Sequence, residues 1–381
     1  MHLKNNKRDT TTTIVHIASG DLWAGAEVQL YNLAKELHKH KHVRLFIVLL
    51  NHGILENKLE KAGISIKVFD EKKLNSLQIF LRISAFLKSI SVDIVHTHRQ
   101  KENVLGSCSA VVSRARRSLR TVHGAPESRH GLMKIHKHLY IFMDWLTGRL
   151  LQDGIVAVST QLAGQLANQF PENRIHVIEN GIDLDELRIS ATEDTFLPGS
   201  SDSIKLAIVG RLVPIKRLDI FLDIARILVD QNPNRYTFYI FGDGPLHADI
   251  ANRIEKLGLR HCVHMMGFQV NIAAYLSKMD FLLITSDHEG LPMVLLEAMA
   301  LRVPVITRAV GGIPVVLNHG KCGVLVTTDD PNVYAEIIMH YLSHADQLTA
   351  LVQRGHQRLL DLYTVQRAAA LYYQLYLEML S

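Results

Sequence analysis

The chain has 381 residues, 48% of them apolar, and a formal net charge of +5, enough material for two domains with cores of their own. No apolar run approaches the roughly 20 residues of a membrane span, and the opening MHLKNNKRDTTTT lacks the apolar centre of a signal peptide, so a cytoplasmic location is expected. Cys108, Cys262 and Cys322 are widely spaced and odd in number, which argues against a disulfide framework or a zinc site.

Charge is unevenly spread. Residues 1–180 hold 25 Lys+Arg against 15 Asp+Glu, a net of +10, whereas residues 181–381 hold 17 against 22, a net of −5. A basic first half fits an anionic acceptor or an anionic membrane surface, and equally a merely solvated face.

In chain order, strands are predicted at 12–18, 43–50, 64–69, 93–97, 119–122, 155–158 and 175–178, with helices at 26–38, 55–62, 77–90, 103–114, 133–151 and 161–170 between them. A turn cluster follows, Glu179-Asn180-Gly181-Ile182-Asp183, and then a polar, poorly periodic stretch from Ser190 to Ser203, where the domain boundary is placed. Alternation restarts with strands at 205–209, 236–241, 263–266, 280–285, 303–307 and 323–326, and helices at 215–231, 246–257, 272–278, 293–301, 331–344 and 345–360. A last amphipathic helix, rich in Tyr and Leu, runs from Thr364 to Leu380. The expected fold is α/β, with two doubly wound, Rossmann-like parallel-sheet domains facing a cleft, residues 1–190 and 191–363.

The most informative stretch is DHEGLPMVLLEAMA, from Asp287 to Ala300, directly after a buried-strand pattern. Pro292 suits the first turn of a helix, and strong helix formers follow. Glu297 breaks the apolar pattern, and Glu289 lies at the strand-to-helix turn. A carboxylate among apolar neighbours needs partners, which two ribose hydroxyls would supply. The amides around Gly290, Leu291 and Met293 suit a phosphate at the helix N-terminus. Arg211 and Lys216, in the strand-to-helix stretch GRLVPIKR, make a pyrophosphate clamp, since a cation at a helix entry is unfavourable without an anion. Gly242 and Gly244 in FGDGP permit a tight turn and close backbone approach. The Gly311-Gly312 pair is a second such place.

In the first half, Gly25 starts a helix and could bring an amide to a phosphate; Glu27 reads equally as a helix-start residue or a ligand. Thr121-Val122-His123-Gly124 ends a strand on the side of the expected cleft. His98, Arg99 and Lys101 form a second His-rich strand end directed at an acceptor region. His96 and His98 have ligand spacing, but no third metal ligand is evident. Arg114, Arg116, Arg117 and Arg120 with Lys134, His136, Lys137 and His138 form an expected basic surface for a membrane or a lipid diphosphate. Nucleic acid is not expected, because no helix-turn-helix, zinc or RNA-recognition signature is present.

Glu289 and Glu297 with the GLP turn between them, the GR…K element, the G-x-G-P turn and the Gly-Gly loop, taken in this order, resemble the retaining family-4 glycosyltransferases, with the two-domain GT-B fold, of the bacterial polysaccharide and lipopolysaccharide type. The resemblance implies transfer of a sugar from a UDP- or GDP-linked donor to a glycan or lipid-linked acceptor, with no further cofactor and no metal. It implies that Arg211 and Lys216 neutralise the leaving diphosphate, Glu297 holds the ribose, Glu289 the sugar hydroxyls, and His123 the sugar at the reacting centre. It sets Phe268 beside the nucleobase, although a core role reads as well, and carries the helix from Thr364 back to the first domain. Ala24 stands where the family usually has the first Gly of Gly-Gly-Ala-Glu. A nucleotide-sugar epimerase on the same fold and a non-catalytic nucleotide-sugar-binding subunit remain alternatives; a dehydrogenase is disfavoured because no G-x-G-x-x-G follows the first strand.

Overall fold

The computed structural model describes residues 11–124 and 135–381, with backbone alone for 135–139. It divides into two compact units, one of residues up to Gly181 together with Val365–Ser381, the other Ile182–Thr364.

The first unit runs β1 (Thr12–Ala18), α1 (Gly25–His38), β2 (Val43–Leu49), α2 (Ile54–Lys61), β3 (Ser65–Val68), α3 (Ser76–Ser89), β4 (Ile94–Thr97), α4 (Gln100–Ser113), β5 (Arg117–Val122), α5 (Ile135–Leu151), β6 (Gly154–Ala157), α6 (Thr160–Ala167) and β7 (Ile175–Val177). The second runs α7 (Leu184–Ala191), β8 (Ile204–Val209), α8 (Leu218–Gln231), β9 (Tyr236–Phe241), α9 (His247–Lys256), β10 (Val263–Gly267), α10 (Ile272–Leu276), β11 (Phe281–Ile284), α11 (Met293–Ala300), β12 (Val305–Arg308), α12 (Ile313–Val316), β13 (Val324–Val326), α13 (Pro331–Ser343) and α14 (Ala345–Leu362). The last helix, α15 (Val365–Leu380), belongs to the first unit.

Both sheets are parallel throughout, in the orders β3-β2-β1-β4-β5-β6-β7 and β10-β9-β8-β11-β12-β13. In each, the chain builds outward from one strand and then returns to its other side, so β1/β4 and β8/β11 are topological switch points. Loops beyond the carboxyl ends of such a pair diverge and leave room for a ligand.

The central strands are buried on both faces, and β1, β4, β6, β9 and β11 hold no exposed residue. In the second unit, Phe221, Leu228, Phe238, Phe281 and Tyr334 share one core. In the first, Ala369, Tyr372, Leu375 and Tyr376 of α15 pack with Leu30, Leu33 and Val156. Arg117 Nε donates to the carbonyl of Met379 at 2.5 Å, and Arg116 to that of Leu380 at 3.0 Å, which ties the end of α15 to the start of β5.

The units part at Gly181/Ile182, ahead of the 190/191 boundary read from the sequence. The reason is α7, which the sequence reading left unassigned: Asp183 caps it by accepting from the Glu186 amide at 3.1 Å. Its end is held by the second unit, where Asn271 and Ser277 donate to the carbonyls of Ser190 and Ala191. A second correction concerns the expected basic surface. Arg120 is only 3% exposed; it points inward from β5, paired with Asp144 at 3.1 Å and stacked over Phe170. Lys134 and the side chains of His136, Lys137 and His138 lie outside the described residues.

Candidate functional site

The second unit gathers most of the expected residues at the β8/β11 switch point. Lys216 ends a short turn, Pro214–Lys216, that follows β8. Its ammonium lies 2.5 Å from Glu289 Oε1, beyond β11, and Ser286 donates to the same oxygen at 2.6 Å. Both partners of this ion pair are largely buried, with side chains 22% and 11% exposed. The Thr285 hydroxyl fixes the turn from below, donating to the carbonyls of Lys216 and Arg217 at 2.8 and 3.0 Å. Arg211, on the same loop, is exposed.

Two glycine contacts lock these loops together. Gly242 has φ +132°, and a Cβ there would sit 2.0 Å from the Gly210 carbonyl oxygen. Gly311 has φ +61°, and a Cβ there would sit 1.8 Å from the Glu289 carbonyl oxygen. The Gly312 amide then donates to Gly290 at 2.9 Å. The Gly-Gly loop after β12 is therefore the backing on which the Glu289-Gly290 turn rests. Gly244, likewise, leaves no space for a side chain against Leu212. These glycines shape the loops and do not themselves carry chemistry.

Helix α11 begins after Pro292 with no side-chain cap, so its first amides keep the partial positive charge that suits an anion. Leu291 and Met293 bury their side chains, at 5% and 7% exposed; only their amides can serve a ligand. Glu297, one turn into α11, makes no side-chain hydrogen bond or ion pair among the described residues, and burial pushes its carboxyl up from 4.5 to about 7. Phe268, just past β10, is 50% exposed, which removes the core reading and leaves an aromatic face for stacking. Behind the site, Arg217 and Arg308 both bridge Asp287 and Asp329. The sequence reading missed this network; its signal was a charged residue at each of two neighbouring strand ends.

In the first unit, Gly25 opens α1 behind Ala24, again without a side-chain cap. Glu27 is buried and paired with Arg99, which also meets Asp21 at 3.3 Å. Lys101 is paired with Glu71. Arg99 and Lys101 are thus held in place by acids. His98 is 6% exposed, and both its ring nitrogens are used, on His16 at 2.9 Å and His123 at 3.1 Å. It is presented to His123 and not to an acceptor. The third histidine absent from the spacing argument is His16, register partner of His96 across β1 and β4; ligand atoms of His16, His96 and His98 all lie within 4.8 Å of one another.

A doubly wound unit with a lysine–carboxylate pair, an uncapped helix start and an unpaired carboxylate at one switch point has the makings of a nucleotide-sugar site. Residues 23–186 match the family model Glycosyltransferase Family 4, and residues 192–358 match Glycosyl transferases group 1. Between them the two models span most of the chain, which belongs to this glycosyltransferase family. One relative is the UDP-Gal:alpha-D-GlcNAc-diphosphoundecaprenol alpha-1,3-galactosyltransferase of Escherichia coli, 27% identical over 68% of each chain. Another is the amylovoran biosynthesis glycosyltransferase AmsK of Erwinia amylovora, 26% identical over 86% of this chain and 82% of that one. Among solved structures, Anabaena Alr3699/HepE in complex with UDP-glucose has the same fold, with TM-score 0.80, 20% identity and coverage of 97% and 99%. Among the described residues, no helix is long and apolar enough to cross a membrane.

Two outcomes follow from the geometry. Gly311→Ala should lower stability by roughly 2 kcal/mol or more, from the strained φ and the clash with Glu289; an unchanged urea midpoint would contradict the locked loops. Glu297 has a folded pKa above its unfolded one, so its own contribution to wild-type stability should fall as pH rises from 4.5 to about 7 and then level off, against the opposite slope of the buried histidines. Glu297→Gln lacks this slope. Its advantage over wild type should grow by up to about 3 kcal/mol between pH 5 and pH 8 in urea unfolding; an equal difference at both pH values would show that the carboxyl is not desolvated.

Proposed function

We propose that the enzyme moves a sugar from a nucleoside-diphosphate sugar to a hydroxyl of a glycan or lipid-linked acceptor, with retention of configuration and without a metal ion. The observation that carries this reading is the Lys216–Glu289 pair beside the uncapped start of α11. As the glycosidic bond breaks, negative charge grows on the diphosphate. Lys216, Arg211 and the amides around Gly290 are fixed cations and dipoles for that charge, preorganised so that little reorganisation is needed in the transition state. They do the work a divalent cation would otherwise do. Glu297 accepts from the ribose hydroxyls, Glu289 from those of the sugar, and Phe268 stacks on the base. His123 is the first unit's hydrogen-bond donor to the sugar. In the retaining route the departing phosphate takes the proton of the acceptor hydroxyl on the face it leaves.

The relatives guide the choice of substrates. The galactosyltransferase named above takes its sugar from UDP and its acceptor carries a diphosphate-linked lipid, so a uridine donor and a lipid-diphosphate acceptor are the first to try. Both fit synthesis of a cell-surface polysaccharide or lipopolysaccharide at the cytoplasmic face of a membrane. The exposed Tyr140, Phe142 and Leu150 of α5 and the basic residues of the first half support a peripheral contact with anionic lipid.

Incubation with a panel of nucleotide sugars should reveal one donor that is slowly hydrolysed and, with acceptor, transferred. An α-linked donor should give an α-linked product by proton NMR, at full rate in chelator, and Lys216→Ala should lower turnover at least 10²-fold, the loss of a charge-stabilising contact of about 3 kcal/mol. Inversion at the anomeric carbon, loss of activity that magnesium restores, or a fully active Lys216→Ala would each contradict its part of the proposal.

A further inference from the structure

Four histidines, two tyrosines and a threonine form one unbranched hydrogen-bonded file through the core of the first unit. From α15 it starts at the Tyr372 hydroxyl, 2.9 Å from Thr121 Oγ1. Thr121 Oγ1 lies 2.8 Å from His96 Nε2, and His96 Nδ1 lies 2.7 Å from the Tyr376 hydroxyl. Tyr376 meets His16 Nε2 at 3.3 Å; His16 Nδ1 meets His98 Nε2 at 2.9 Å; His98 Nδ1 meets His123 Nε2 at 3.1 Å. The file ends at His123 Nδ1, which is buried and has no partner among the described residues.

A neutral imidazole donates from one nitrogen and accepts at the other, and which nitrogen carries the proton follows from its neighbours. Burial holds His16 near 3, His96 and His98 well below the usual range, and His123, helped by Arg99, near 4. All four rings are therefore neutral at neutral pH. With one proton per contact, the file can point only two ways. In one, every ring is protonated on Nδ1 and the last N–H is that of His123. In the other, every ring is protonated on Nε2 and the hydroxyl of Tyr372 has nothing to donate to. Tyr372 is 1% exposed in the core, whereas His123, whose Nδ1 is itself screened from water, stands just past the carboxyl end of β5 and is partly exposed as a residue, where a ligand can approach it. A donor without an acceptor is most costly where neither water nor ligand can reach it.

We propose that the file runs from α15 to the site, so that Tyr372, Thr121, His96, Tyr376, His16 and His98 hold His123 as its Nδ1–H tautomer and make it a hydrogen-bond donor to an oxygen of the bound sugar or phosphate. That the oxygen belongs to a donor sugar rests on the function proposed above; the tautomer itself does not. The six residues are positioning residues, and the Nδ1–H form is the one an unconstrained neutral imidazole favours less, so the protein must impose it.

The test is nitrogen NMR of the full chain labelled with 15N-histidine, without substrate, with the four rings assigned by single substitutions. The proposal expects all four rings in the Nδ1–H form and expects His98→Leu, which cuts the file next to His123, to return His123 to a mixture dominated by Nε2–H. Wild-type rings in mixed tautomers would overturn the single file, and four Nε2–H rings would overturn its direction. Stoichiometric uptake of zinc with broad loss of the His16, His96 and His98 signals would replace it with a metal centre. Because the spectrum is read on the free protein, it can fail while transferase activity stands, and the reverse.

Discussion

A parallel sheet covered on both faces leaves its polar chemistry one address. The strands are mainly apolar, and a charge among them costs several kcal/mol unless paired, as Arg120 is with Asp144. Only the loops past their carboxyl ends can hold charge and still reach solvent. At β8/β11 this concentrates Lys216, Ser286 and Glu289 within hydrogen-bond distance, although 73 positions separate the lysine from the glutamate. The ion pair keeps the ammonium aimed, and under the function proposed above a diphosphate with its greater charge takes it over.

The backbone supports this arrangement as much as the side chains do. Gly242 against Gly210 and Gly311 against Glu289 bring adjacent loops closer than any Cβ would allow. Loops so interlocked resist reorganisation, which is what electrostatic stabilisation of a transition state needs. Glu297 is the complementary case. It is a carboxylate held in a helix among apolar neighbours with no side-chain partner among the described residues, a local cost that makes sense when a ligand satisfies it.

Much of this was legible in the sequence because it is written in short, local patterns. The alternation of strand and helix gave both sheets, and Glu289, Glu297, Lys216 and the glycine turns lie in contiguous motifs. What stayed hidden depends on contacts distant in sequence. His16 sits in an apolar strand and becomes the neighbour of His96 only through the pairing of β1 with β4. Tyr372 and Tyr376 look like amphipathic-helix residues until α15 returns to the first unit and meets Thr121 and His96. Arg120 was indistinguishable from its surface neighbours, because strand alternation, not charge, turns it inward to Asp144. α7 was passed over although Asp183 signalled its start, since its apolar face is narrow and its packing partner, α10, lies far along the chain.

The central claim is a division of labour within one unit: Lys216 answers to the phosphates and Glu297 to the ribose. Calorimetric titration of a nucleoside diphosphate and of the matching nucleoside into wild type, Lys216→Ala and Glu297→Ala tests it most directly. The account predicts that Lys216→Ala weakens the diphosphate alone, and that Glu297→Ala weakens both ligands by roughly 1.5–3 kcal/mol. Folded variants that bind both ligands as tightly as wild type would contradict it.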